Sequence, residues 1–156
     1  MTRRNLLSLA SLSTIAWAIA PLHANTWQSY ENLPENQDPW KAETSKEAIK
    51  LLYPDKEILL SEKIYLKAPK LAENGGSIPI YIKTDLKAKR VMLFQDANPT
   101  SLVGIFEVHK DEIVDYSFYI KMRQEAFIKV LIEDINGLVY VKSQEIYVSS
   151  GGGCGG

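Results

Sequence analysis

The chain has 156 residues, with 18 basic against 19 acidic side chains, two histidines and one cysteine. That length supports one domain with a real core but not two, and the near-balanced charge leaves no basic excess to neutralise nucleic-acid phosphates. A single cysteine cannot close an intramolecular disulfide.

The opening Thr2-Arg3-Arg4-Asn5-Leu6-Leu7-Ser8, a mildly apolar run to Ala20 and then Pro21-Leu22-His23-Ala24 supply the charged, apolar and small-residue regions of an export signal cleaved after Ala24. Paired arginines ahead of Leu6-Leu7 fit a twin-arginine signal over residues 1–24; the alternative is a general export signal that happens to carry two arginines. Leu6 to Ala20 is only fifteen residues, short of the about twenty needed to span a bilayer, so no membrane anchor is expected. Removal of residues 1–24 leaves 132 residues, carrying 16 basic and 19 acidic side chains, in the periplasm. An exposed thiol retained in that oxidising compartment points to use, with a disulfide-linked dimer as its side product.

Residues 25–38 are polar, interrupted by Pro34 and without a sustained period, which reads as a loosely packed lead-in. A single domain is expected over 39–150. Asp38-Pro39 marks a helix start, with Asp as N-cap and Pro at the first helical position. Trp40 to Tyr53 then forms an amphipathic helix that covers one end of the core and stops at Pro54.

From Glu62 onward the period is two. Ile64 and Leu66, then Ile78, Ile80 and Ile82, then Val114, Tyr116, Phe118, Ile120 and Met122 alternate with more polar neighbours, as strands with one buried face do. Arg90 to Gln95, Leu102 to Val108, Ala126 to Glu133 and Leu138 to Val148 are rich in β-branched and aromatic residues. Asn74-Gly75-Gly76 and Asn98-Pro99 are turn signals, the two glycines being placed to accept φ > 0. Asn136-Gly137 predicts a two-residue hairpin turn of the primed type. Seven short strands without helical crossovers predict an all-β, antiparallel sandwich.

The chain closes on Gly151-Gly152-Gly153-Cys154-Gly155-Gly156. Glycine visits both signs of φ freely, so residues 151–156 read as a flexible, swinging arm with a reach of roughly 20 Å. No titratable neighbour within the arm lowers the thiol pKa from its free value of about 8.5, so only a few per cent would be thiolate at neutral pH. The thiol should be idle alone and become reactive inside another protein's pocket. Prenylation is excluded, because Gly155-Gly156 supplies neither the aliphatic pair nor the last residue that modification needs.

Little else in the chain carries chemistry. His109 and Cys154 are the only nitrogen and sulfur metal ligands left after residue 24, short of a zinc set, so no metal is expected. His109 beside Lys110, Asp111 and Glu112 reads as an exposed turn. Glu107, Asp111, Glu112, Asp115, Glu133 and Asp134 read as solvated strand edges and turns rather than an acid–base pair. No phosphate loop, dinucleotide fingerprint or His-Glu-x-x-His motif is present. A carrier, a thiol redox protein and a structural module joined through Cys154 remain the candidate readings.

Several segments resemble the SoxY family, the carrier proteins of bacterial thiosulfate oxidation. They are the twin-arginine start, Leu66-Lys67-Ala68-Pro69 leading to Ala72-Glu73-Asn74-Gly75-Gly76-Ser77-Ile78-Pro79-Ile80, Asn98-Pro99 followed by Phe106, and above all Gly152-Gly153-Cys154-Gly155-Gly156. The resemblance spans most of residues 40–156. The strand at Tyr119-Ile120-Lys121-Met122 departs from it, with Tyr and Lys where the family tends to carry arginines. The resemblance implies an immunoglobulin-like sandwich that forms a heterodimer with a second small β protein, SoxZ. It further implies a non-enzymatic carrier without a cofactor, holding thiosulfate-derived sulfur covalently on Cys154. A cytochrome, a sulfate-releasing hydrolase and a sulfur dehydrogenase would act on that cargo in turn.

Overall fold

The computed structural model describes residues 38–149. The signal segment, residues 25–37 and the arm at 151–156 lie outside the described residues.

Asp38 caps as expected, its Oδ1 accepting a hydrogen bond from the Trp40 N–H at 2.9 Å, but the helix it starts is a short 3-10 turn, Pro39–Lys41. The continuous helix expected over Trp40 to Tyr53 is broken. Thr44 is extended (φ −120°, ψ 146°) and serves as a second N-cap, its Oγ1 accepting from the Glu47 N–H at 3.2 Å. The α-helix, α1, therefore spans only Ser45–Leu52. The cause is Thr44, whose hydroxyl satisfies the orphan amide of Glu47, three residues on, at a new start.

Nine strands follow: β1 (Ile58–Leu60), β2 (Ile64–Lys67), β3 (Leu71–Ala72), β4 (Ile78–Thr84), β5 (Ala88–Gln95), β6 (Leu102–Glu107), β7 (Val114–Ile120), β8 (Ala126–Asp134) and β9 (Val139–Val148). They form two sheets, a larger one in the order β1-β9-β8-β5-β6 with β3 also on β9, and a smaller one in the order β2-β4-β7. The sandwich is not wholly antiparallel, because β1 and β3 both pair parallel with β9, at Ile58↔Val139 and Leu71↔Tyr147. Between those pairings the chain crosses to the small sheet as β2, so the β9 edge is stitched to both sheets. Gln144 closes the gap, its Nε2 donating to the Ala68 carbonyl at 2.8 Å.

Alternation places Ile78, Ile80 and Ile82 of β4 against Val91 and Leu93 of β5, Ile128, Val130 and Ile132 of β8 and Ile146 of β9. Each such side chain, fully removed from water, contributes about 1.5–3 kcal/mol before entropy is counted. The opposite face of the large sheet is also covered. Met92, Phe94, Leu131 and Val139 pack under Ala48 and Tyr53, which is why β5 and β8 read as continuous apolar runs.

The β8–β9 connection differs from expectation. The Gly137 N–H donates to the Asp134 carbonyl at 3.0 Å and the Asp134 N–H to the Leu138 carbonyl at 2.9 Å. The turn is therefore centred on Ile135 and Asn136, with Gly137 following at φ 82°, a three-residue loop rather than a two-residue primed turn. Asp134 selects it, its Oδ1 accepting from the amides of Asn136 and Leu138, both at 2.9 Å.

Candidate functional site

Cys154 and the arm glycines Gly151, Gly152, Gly153, Gly155 and Gly156 lie outside the described residues, so the site is approached through the strand that leads to them. β9 runs to Val148, and its end is held on one side by β8 and on the other by β3. The Tyr147 N–H donates to the Lys70 carbonyl and the Ser149 N–H to the Ala72 carbonyl, both at 2.9 Å. Five residues before Cys154 the backbone is thus still tied to the body.

The Ala72-to-Ile80 segment builds this clasp. The Asn74 Oδ1 accepts from the Gly76 N–H at 2.8 Å and the Asn74 carbonyl from the Ser77 N–H at 3.2 Å, a local turn. The Gly75 carbonyl accepts from the Met122 N–H at 2.9 Å. Gly75 is needed for space and not for the positive φ expected of it and Gly76: a Cβ there would lie 2.5 Å from the Met122 carbonyl oxygen and 2.9 Å from Val148 Cγ1. Among the described glycines only Gly137 has a positive φ. Gly75 therefore lets the end of β9 pack directly against the turn.

His109 lies where expected, in an exposed turn, with Nδ1 3.9 Å from an equally exposed Asp111 carboxylate. Among the described residues no three His, Cys, Asp or Glu side chains gather into a metal-binding group. Glu107, Asp111, Glu112 and Asp115 are exposed, as expected. Hydrogen bonds from the Tyr116 hydroxyl, at 2.7 Å, and the His109 N–H hold the Glu112 carboxyl below its ordinary range.

Glu133 and Asp134 are corrections, being 5% and 7% exposed. Glu133 Oε2 accepts from the Tyr53 hydroxyl at 2.9 Å and Oε1 from Lys56 Nζ at 3.2 Å. Burial would raise its pKa, but those two donors and the nearby Arg90 outweigh it and hold the carboxyl below the ordinary range.

A second polar cluster was not anticipated. Asp96 accepts from the Ser45 N–H at 2.6 Å, the Ser45 hydroxyl at 2.8 Å, the Ser101 hydroxyl at 3.1 Å and Lys129 Nζ at 3.3 Å. Lys129 also reaches the Ser45 hydroxyl. A serine beside a lysine has the form of a nucleophile–base pair. Here Ser45 is 1% exposed and its proton is committed to Asp96, so the cluster fastens the start of α1. Burial again opposes ionisation of Asp96, and the Ser45 amide and hydroxyl with Lys129 prevail, lowering its pKa.

The family described as sulfur oxidation protein SoxY matches residues 49–154, a span that includes Gly75, the clasp and Cys154. The chain belongs to the SoxY family. A solved structure of the sulfur carrier protein SoxY from Chlorobium limicola f thiosulfatophilum is 27% identical, with a TM-score of 0.60, covering 67% of this chain and 94% of that one. A superoxide reductase (neelaredoxin) from Ignicoccus hospitalis is similar in fold alone, at 12% identity and a TM-score of 0.51, covering 56% of this chain and 81% of that chain. No curated protein sequence matches the chain. The two-sheet sandwich with one short α-helix agrees with the architecture expected of a SoxY chain.

Proposed function

We propose that this SoxY-family chain is a covalent carrier of sulfur in periplasmic thiosulfate oxidation, with Cys154 as the attachment point and residues 151–156 as its swinging arm. The sandwich is of immunoglobulin-like type, and residues 1–24 are the twin-arginine signal that exports it. The observation that carries the reading is the family match itself, which runs through Gly152-Gly153-Cys154. The clasp at Ala72, Gly75 and Val148 supports it by giving the arm a fixed root.

The chemistry needs a partner at each step. Joining the Cys154 thiol to the outer sulfur of thiosulfate forms one S–S bond and releases one proton and two electrons, which the cytochrome partner accepts. Hydrolysis then cleaves the bond to the terminal sulfone; water supplies the oxygen of sulfate, and a persulfide stays on Cys154. The sulfur dehydrogenase oxidises that sulfur further. The carrier contributes reach and a nucleophile, and is itself no enzyme. A SoxZ-like subunit completes the heterodimer.

Intact-mass measurement of the protein isolated from cells oxidising thiosulfate tests the reading. Sulfur adducts that map to Cys154 are expected, and unmodified thiol under every growth condition would overturn it. Cys154→Ser should abolish thiosulfate oxidation in a reconstituted system while leaving the melting temperature unchanged.

A further inference from the structure

β9 outruns its partner in the large sheet. Its ladder with β8 ends at Ala126↔Ile146, because β8 begins only at Ala126, after a bend at residues 123–124. Residues 147–149 therefore overhang, and what catches them is β3, through the Tyr147 and Ser149 amides and the register Leu71↔Tyr147, Ala72↔Val148. β3 is two residues long. Leu71 is 60% and Tyr147 48% exposed, so of the two pairs only Ala72 with half-buried Val148 adds to the core. The turn after β3 contributes the close approach of Gly75 to Val148.

A strand end held by so short a pairing and one apolar contact opens locally at far lower cost than a ladder paired on both sides and buried on its inner face. The opening has a fixed stop. Ile146 is fully buried and paired to Ala126, so the chain can peel back to residue 147 and no further without breaking the large sheet. Counted along the chain, Cys154 lies five residues beyond Ser149 and eight beyond Ile146. The closed clasp thus gives the thiol a reach of roughly 17 Å, and the released one roughly 27 Å. The difference decides access, because a tethered group has almost no effective concentration in a pocket its leash cannot span.

We infer that the clasp of β3 on β9 sets the working length of the arm: closed, it presents Cys154 to shallow pockets, and released, it lets out residues 147–149 for a partner whose pocket is deeper. Ala72, Gly75 and Val148 are then positioning residues, acting on the chemistry only through where they hold the root of the arm. The inference rests on the carrier reading proposed above and adds a control on its reach.

The test pairs amide exchange with step-by-step turnover, read as the mass of Cys154 adducts on the exported chain reconstituted with its SoxZ-like subunit and the cytochrome, hydrolase and dehydrogenase partners. In the wild type, the amides of Tyr147 and Ser149 should exchange about tenfold or more faster than those of the β8–β9 ladder. They should exchange faster still in Gly75→Ala and Val148→Ser, which loosen the clasp from its two sides. Deletion of Gly151 and Gly152 should slow at least one step by about tenfold or more. Adding Gly75→Ala or Val148→Ser to the shortened arm should bring that step back to within about threefold of the full-length rate. Lost stability cannot restore a rate, so rescue separates positioning from folding, and the second variant guards against misfolding of the first. Equal rates for full and shortened arms, a shortened arm that neither variant rescues, or exchange at Tyr147 and Ser149 as slow as in the ladder overturns the inference. A full-length wild type that never acquires adducts sinks the carrier reading instead, whereas adducts without rescue refute the clasp's role and leave the carrier standing.

Discussion

A methyl group at position 75 has no room. The Met122 carbonyl oxygen 2.5 Å from the added Cβ belongs to backbone hydrogen-bonded into the sandwich, and Val148 Cγ1 at 2.9 Å belongs to the strand that leads to Cys154. Gly75→Ala must shift one of them, and overpacking of this kind costs about 1–3 kcal/mol. Gly76→Ala meets only the Asn74 Oδ1, at 3.1 Å, the end of an exposed side chain that can rotate away. Urea unfolding should therefore show a clear loss for Gly75→Ala and a change within about 0.5 kcal/mol for Gly76→Ala. Equal effects would mean that the contact with Val148 carries no strain. The sequence marks this glycine pair as special but assigns the wrong reason, because a steric contact with residues 122 and 148 leaves no trace in the local pattern, whereas a turn does.

At the scale of elements, the strands with clean alternation were legible, and so was their placement in one sandwich. What escaped was set by competition between local signals. Asp38-Pro39 does begin a helical turn, but Thr44 forms the stronger start, and the helix that packs is the one it caps. Thr44→Ala should cost about 1 kcal/mol with a matching drop in helical circular dichroism; no change would show that tertiary contacts alone hold α1. β1 and β3, three and two residues long, are too short to display a period, and their parallel pairing with β9 is fixed by the crossing of β2 between them. Glu133 and Asp134 looked like solvent-facing carboxylates because their donors, Tyr53, Lys56 and the amides of the β8–β9 loop, are distant in sequence or belong to backbone. Cys154 and its glycines lie outside the described residues, so their role rests on the sequence, where a thiol flanked by residues without side chains is visible without a fold.

For the whole molecule, half-buried Asp96 and buried Glu133 divide the labour of holding α1. Asp96 binds its first residue, Ser45, and Glu133 binds the hydroxyl of Tyr53, the residue that closes its last turn. Both carboxyls have folded pKa values below their ordinary 3.8 and 4.5, so the unfolded state takes up protons more readily than the native one in acid. Their stabilisation is complete above the ordinary values and is lost as pH falls from there through the folded values. The inter-sheet core of isoleucine, valine and leucine has no such dependence. Acid should therefore release α1 before it opens the sandwich. Amide exchange followed from neutral pH downward, corrected for the intrinsic rate, should show protection of α1 falling below about pH 4.5 while β5 and β8 remain protected. Glu133→Gln should flatten that acid limb and lower stability at neutral pH, because the amide cannot replace the charge that Lys56 and Arg90 face. Simultaneous loss of protection in helix and sheets would show that these carboxylates belong to the global unfolding unit instead. The clasp at Gly75 and Val148 involves neither carboxylate, so the root of the arm should keep its protection with the sheets when α1 lets go.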